Sequence, residues 1–105
     1  MGPVSNRTYT GKRDIDGAEV TVDGRPLDPR LDIHTFTSRG FEWGYEGDGP
    51  SQLALAILAV HFADDEQAKA ECAAFMSRVV AYFSNEWEMT SADIDVALTN
   101  VRATG

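Results

Sequence analysis

The most constraining feature of the sequence is the segment from Pro50 to Phe62, which is apolar on nearly every side of a helix. Pro50 suits the first helical position, because its missing N–H group costs nothing there. A helix with apolar side chains in all directions must be covered on all sides. A chain of 105 residues is enough for one domain, so we expect residues 7–105 to form a single domain around this central helix.

The half of the chain before this helix has the pattern of antiparallel strands. Val20 and Val22 alternate with polar residues, and Asp23-Gly24 is a dipeptide typical of a tight hairpin turn. Residues 1–6 have no such pattern and are expected to be a flexible end, and residues 28–39 are expected to be mostly loop. The predicted strands are Arg7–Arg13, Glu19–Val22, a short edge strand Arg25–Leu27 that contains Pro26, and Phe41–Trp43.

The half after residue 50 is predominantly helical. Asp64 and Gln67 have the spacing of a capping box, and apolar residues at helical spacing follow as far as Phe83. Trp87 and Met89 alternate with glutamates, which indicates a short strand, and Thr90 with Asp93 restarts a helix. Strands followed by helices predict an α+β fold, in which a small, mainly antiparallel sheet packs against about three helices.

Composition excludes several classes of function. The net charge is −8, so direct nucleic-acid binding, which needs concentrated Lys and Arg, is not expected. The longest apolar run is far too short for a membrane span. The first residues lack the pattern of a signal peptide, and one cysteine fits a reducing compartment, so a cytoplasmic location is expected. The acidity has three open explanations: solubility, adaptation to salt, or binding to a basic partner.

The stretch FEWGYEGDG, residues 41–49, is the strongest candidate for a binding site. Its glycines let the backbone pass close to another group, and the helix that follows offers free N–H groups to an anion. The aromatic side chains can stack on a base, and Arg39 can pair with a phosphate. The alternative is a tight turn into a core helix. The predicted ligand-binding residues are Arg39, Phe41, Trp43, Gly44, Tyr45, Gly47, Gly49, Ser51 and Gln52.

Catalytic, metal and cofactor sites are not predicted. His34 and His61 lack the spacing of a metal motif. Cys72 lies on the apolar stripe of the second helix, where a buried thiol is the ordinary case. No catalytic constellation can be assembled from spacing alone, so binding is favoured over catalysis.

Four segments together resemble a known family: RTYTGKR at 7–13, DGRPLDPRLD at 23–32, GFEWGYEGDGPSQLALAIL at 40–58, and EWEMTSADIDVAL at 86–98. The chain resembles a family of small prokaryotic and phage proteins known only as a domain of unknown function. The resemblance implies no activity and no site residue. It implies a small protein that acts by binding a host protein or a small signal.

These observations give three functional hypotheses. In the first, the protein is a non-catalytic homo-oligomer that sequesters an anionic, nucleotide-like molecule at residues 44–52. In the second, it is an acidic interaction module, an inhibitor or a DNA mimic, that binds a basic host protein. In the third, the same loop carries an enzyme activity.

Overall fold

The computed structural model of the protein describes residues 6–104, which form a four-stranded sheet and three α-helices. The predicted flexible end thus lies outside the described residues, apart from Asn6. The strands are β1 (Thr8–Asp14), β2 (Gly17–Val22), β3 (Arg25–Pro26) and β4 (Glu86–Thr90). The helices are α1 (Asp48–Phe62), α2 (Asp65–Arg78) and α3 (Ser91–Thr104), with a 3₁₀ turn at Val80–Tyr82.

The sheet is antiparallel throughout, in the order β3-β2-β1-β4. The predicted hairpin turn is confirmed, because Asp23 and Gly24 take φ angles of 52° and 83° between β2 and β3. The Asp23 carboxylate also accepts a hydrogen bond from the backbone N–H of Thr8 at 2.9 Å, so the turn is attached to the start of β1. The α+β class is confirmed.

The predicted strand Phe41–Trp43 is wrong. These residues have no strand pairing, and β4 pairs with β1 instead. Trp43 is buried in the core, 1% exposed, and the chain then turns at Gly44 with a φ of 89°. The Gly44 N–H donates to the carbonyl of Val80 at 3.1 Å, which holds the turn against the 3₁₀ segment rather than beside a strand.

The central, buried position of α1 is confirmed. Its side chains from Leu53 to Ala59 are at most 3% exposed. α1 packs against α2, and its buried side chains share one continuous core with Tyr9 and Val20 of the sheet. Each fully buried Leu or Ile contributes about 1.5–3 kcal/mol to folding, so this helix organises the domain.

The second helix is shorter than predicted. Asp64 caps it by accepting from the Gln67 N–H at 3.0 Å, as expected, but the helix ends at Arg78 instead of Phe83. Val79 leaves the helical conformation, with φ −125°, which allows Val80 to be fully buried. The restart at Thr90 and Asp93 is confirmed by reciprocal bonds, in which each backbone N–H donates to the other side chain at 3.0–3.2 Å.

The helices cover one face of the sheet. Tyr9 and Gly11 of β1 point to the covered side, together with the residues that pair with them on β2 and β4. The alternate residues point to the opposite side. We call that side the open face, and its members are Thr8, Thr10, Lys12, Asp14, Gly17, Glu19, Thr21, Glu86, Glu88 and Thr90.

Across residues 6–104, no helix combines the length and the apolar character needed to cross a membrane.

Candidate functional site

Gln52, predicted to contact a ligand, instead holds a loop. Its side chain is 1% exposed. Its oxygen accepts from the N–H groups of Phe36 and Thr37 at 2.7 and 3.2 Å. Its amide donates to the carbonyls of Pro29 and His34 at 2.7 and 3.0 Å. All of the strong hydrogen-bonding directions of the amide are used within the protein.

Ser51 is also occupied by the protein itself. Its hydroxyl donates to the carbonyl of Gly47 at 2.8 Å, and its N–H donates to the same oxygen at 2.9 Å. Both bonds close the first turn of α1, so Ser51 stabilises the start of the helix.

The three glycines of the stretch have different environments. Gly44 needs its positive φ, and a Cβ there would lie 3.2 Å from the Phe83 carbonyl. At Gly49 a Cβ would lie 2.7 Å from the Cβ of Glu42, so the acidic side chain fills the space in which a ligand would approach. At Gly47 a Cβ would lie 2.9 Å from the ring of Tyr45.

The aromatic side chains divide between core and surface. Trp43 is buried, so it has no face to offer a ligand. Phe41 is partly buried against the core, whereas Tyr45 is 51% exposed. Arg39 is exposed, and its N–H donates to the Thr37 hydroxyl at 3.1 Å.

The cavity that lies beside the 44–52 stretch is smaller than a nucleotide site. A cavity of about 90 Å³ lies beside Gln52, lined by residues of the 29–40 loop. Sites for small molecules typically measure about 300–1,000 Å³. Glu46 and Asp48 stand at the start of α1, and their charges oppose the attraction of an anion to the helix terminus.

Arg13 contacts both the ring and the backbone of Trp43. Its guanidinium lies 4.6 Å from the centre of the Trp43 ring. It also donates to the Trp43 carbonyl at 2.8 Å, to Glu42 at 2.7 Å and to Asn85 at 2.7 Å. Trp43 meets Trp87 edge to face at 5.9 Å. The aromatic stretch is therefore attached to the sheet by an arginine whose role the sequence analysis did not predict.

The open face of the sheet holds a groove of about 540 Å³. Its lining residues are Thr10, Gly11, Lys12, Glu19, Thr21, Glu86, Trp87 and Glu88. The Thr10 and Thr21 hydroxyls share a hydrogen bond of 2.7 Å across the strands, which leaves a polar floor. This groove was not predicted from the sequence.

The charges of the groove are unbalanced. Lys12 is its single cation, and it lies 3.8 Å from Glu19. No ion pair within residues 6–104 involves Glu86 or Glu88, both of which are exposed. The alternation of glutamates with Trp87 and Met89 was the available signal, since it placed both carboxylates on one side of a strand.

Cys72 and His61 lie outside the open face. Burial raises the pKa of the Cys72 thiol, which disfavours a nucleophilic thiolate. His61 lies 2.7 Å from the Asp95 carboxylate, and its side chain is 8% exposed. In the described range, no group of three or more potential ligands of the His, Cys, Asp and Glu types is placed to hold a metal ion.

Comparison with known families matches residues 9–100 to a family of unknown function, DUF6166. The chain belongs to this family. No curated protein matches it, and no solved structure matches it. The DUF6166 match spans β1 through most of α3, and therefore includes both the 41–52 stretch and the open face.

Proposed function

We propose that this DUF6166 protein is a non-catalytic interaction module whose open face binds a basic partner protein. The observation that carries the proposal is the groove of about 540 Å³, in which three glutamates surround one lysine. An acidic groove attracts a basic surface and steers its approach.

The shape of the groove supports a protein partner. It lies on a sheet face that no helix of residues 6–104 covers, so it offers a broad surface to side chains of another protein. Ligand pockets for small molecules usually bury most of the ligand, and a sheet face without a covering helix cannot do so.

The charge of the whole molecule supports the same partner. Residues 48–105 contain nine acidic residues against three basic ones. A partner with a basic surface would be attracted from a distance comparable to the Debye length, about 8–10 Å at physiological salt. We expect its affinity to fall at least about tenfold between 0.05 and 0.5 M salt, as rough limits for a screened interaction.

The proposed context is that of a small prokaryotic or phage protein acting in the cytoplasm. There it would inhibit a host protein by covering a basic surface, and where that surface is a DNA-binding one, the glutamates would take the place of phosphates. The predicted homo-oligomer also stays a prediction. Measuring the molecular mass of the protein in solution would test it.

Affinity capture with charge-reversed variants tests the proposal. Immobilised wild-type protein should retain a basic host protein, and the double variant Glu86→Lys/Glu88→Lys should lose it. The control Asp16→Lys/Glu66→Lys makes the same change in net charge at exposed residues outside the open face and should retain the partner. Equal retention by both double variants would show that the open face is not the binding surface.

A small anionic ligand at residues 44–52 is the second candidate. One observation favours it: Gly47 gives α1 no side-chain cap, and Tyr45 beside it is exposed. Thermal unfolding with a panel of nucleotides tests this candidate, because a ligand at a hundred times its Kd stabilises by about 2.7 kcal/mol. Gly47→Val should abolish such a shift, because the added side chain lies at the start of α1. The variant should still fold, since the φ of Gly47 is 169°, an extended value that any residue adopts. The absence of a shift in folded protein would remove this candidate.

A further inference from the structure

We propose that the basic partner adds an extended strand to the free edge of β4. The inference rests on the proposed function and names the form of the partner: a segment that alternates Lys or Arg with apolar residues. Strand addition of this kind takes its affinity from main-chain hydrogen bonds and its specificity from alternate side chains.

The two edges of the sheet differ in how far they are protected from pairing with a further strand. β3 has two residues, one of them Pro26, and a short strand with proline blocks pairing. β4 has five residues, EWEMT, with no proline and no lysine. Within residues 6–104, β4 pairs with β1 on one side and with no strand on the other. The edge of β4 is therefore the one that can accept a further strand.

The hydrogen-bond pattern shows which groups of β4 face that edge. The Ser91 N–H donates to the Arg7 carbonyl at 2.9 Å, directly beyond the register pair Thr8–Thr90. Because bonding residues alternate along an antiparallel pair, Met89 and Trp87 bond to β1 as Ser91 does. The N–H and carbonyl groups of Glu86 and Glu88 therefore point away from the sheet.

The end of this edge is already closed. The Thr90 N–H, which also points outward, donates to the Asp93 carboxylate at 3.0 Å. The cap of α3 thus ends the free edge, and an added strand would pair along Glu86 and Glu88.

The side chains of β4 define the chemistry of the added strand. Glu86 and Glu88 lie on the open face and are exposed, whereas Trp87 and Met89 lie on the covered side and are partly buried. Neighbouring strands place side chains of the same face about 4.5–5.5 Å apart. Basic residues of the partner would then lie beside the glutamates, and apolar residues beside Trp87 and Met89.

The same edge disfavours a second copy of this chain. In a two-fold antiparallel pair of β4 strands centred on Glu88, the two Glu88 side chains would be directly opposite each other. Like charges in that position destabilise a pair of strands, and charge on an edge is a known protection against self-association.

Hydrogen exchange with a defined peptide tests the inference. The probe is a short peptide of alternating lysine and valine, with the amides of one edge N-methylated so that it cannot stack on itself. In the free protein, the amides of Trp87 and Met89 should be protected and those of Glu86 and Glu88 should exchange fast. Adding the peptide should slow exchange at Glu86 and Glu88 by about tenfold or more.

Two controls separate strand addition from simple attraction of charges. A peptide N-methylated on both edges keeps its charge but loses the main-chain bonds, and it should bind roughly tenfold more weakly or worse. Glu88→Pro removes the outward N–H, whereas Glu88→Thr removes the same charge and keeps the N–H. Peptide binding should be weaker in Glu88→Pro than in Glu88→Thr.

Each contrary result has a distinct meaning. If both peptides bind equally, or exchange at Glu86 and Glu88 is unchanged in the complex, the strand inference is overturned while the acidic face remains a binding surface. If the singly methylated peptide does not bind at low salt, the strand inference is overturned outright. If the partner from affinity capture is retained equally by the face variant and its control, the proposed function fails as well.

Discussion

Gln52 shows how one residue can be placed correctly on a helix and still be given the wrong neighbours by reasoning from sequence. A polar residue in the first turns of a helix has the same local pattern whether it faces a ligand or a loop. Its four hydrogen bonds go to backbone groups 15–23 positions earlier in the chain. The path of the 28–39 loop decides those contacts, and the sequence predicted that loop without predicting its path.

Replacing Gln52 tests its structural role. Gln52→Leu keeps the size of the side chain but removes four part-buried hydrogen bonds to backbone groups, so we expect a loss of about 3 kcal/mol in the free energy of unfolding. Gln67→Leu, at an exposed position of α2 where the side chain amide donates to Glu71 at 3.0 Å, is the control and should change stability by less than about 0.5 kcal/mol. Urea unfolding measures both, and equal stabilities would contradict the account.

At Tyr9, a substitution in the core is expected to have the opposite effect on the free energy of unfolding. Its ring is fully buried, and its hydroxyl has no hydrogen-bond partner among the described residues. An unpaired buried hydroxyl costs free energy, so Tyr9→Phe should be neutral or more stable by about 1 kcal/mol. Tyr82→Phe, at a side chain that is 80% exposed, should have no effect. A clear loss of stability in Tyr9→Phe would show that the hydroxyl does have a partner.

The phenol of Tyr9 is also expected to make the stability of the protein depend on pH in the alkaline range. Burial raises the pKa of its phenol to about 12 from 10.0. The folded state thus holds the proton more tightly than the unfolded state, so this contribution is complete below about pH 10 and is lost as the pH rises toward 12. Unfolding of wild type and Tyr9→Phe across that range measures it. The variant should lose less stability, and identical curves would contradict the assignment.

At the scale of elements, two segments with similar patterns have different structures. Residues 41–43 and 86–90 both alternate large apolar side chains with glutamates. The second forms β4 because β1 provides its pairing partner, whereas the first is held by the Arg13 side chain and the turn at Gly44. Pairing between strands joins distant parts of the chain, so local alternation predicted both strands and could not separate them. Caps and the Asp23-Gly24 turn were predictable because their bonds are local.

Arg13 is expected to hold this arrangement together. Arg13→Ala removes its bonds to Glu42, the Trp43 carbonyl and Asn85, and should lower stability by about 2 kcal/mol. The near-ultraviolet circular dichroism of the packed tryptophans should weaken as well. Arg25→Ala on exposed β3 is the control, with an expected change below about 0.5 kcal/mol. An unchanged spectrum in Arg13→Ala would contradict the role of this side chain.

For the whole molecule, the location of the open face could not be read from the sequence. The alternation in β2 and β4 indicates that each strand has two different sides. It does not say which side the helices cover, nor that Glu19 and Glu86 lie on the same face. That relation follows from the register of both strands with β1. The sequence did predict the central helix, because a segment apolar on all sides permits few positions in a domain of this size.

The central claim is that the open face, and not the 44–52 stretch, is the binding surface. The most direct test is a nuclear magnetic resonance titration of the labelled protein with its captured basic partner or with the lysine–valine peptide, following every backbone amide. The account predicts that the largest shifts occur at Thr10, Lys12, Thr21, Glu86 and Glu88, and that they shrink as salt is added. Shifts concentrated at residues 44–52, or on the outer surfaces of α2 and α3, would contradict it.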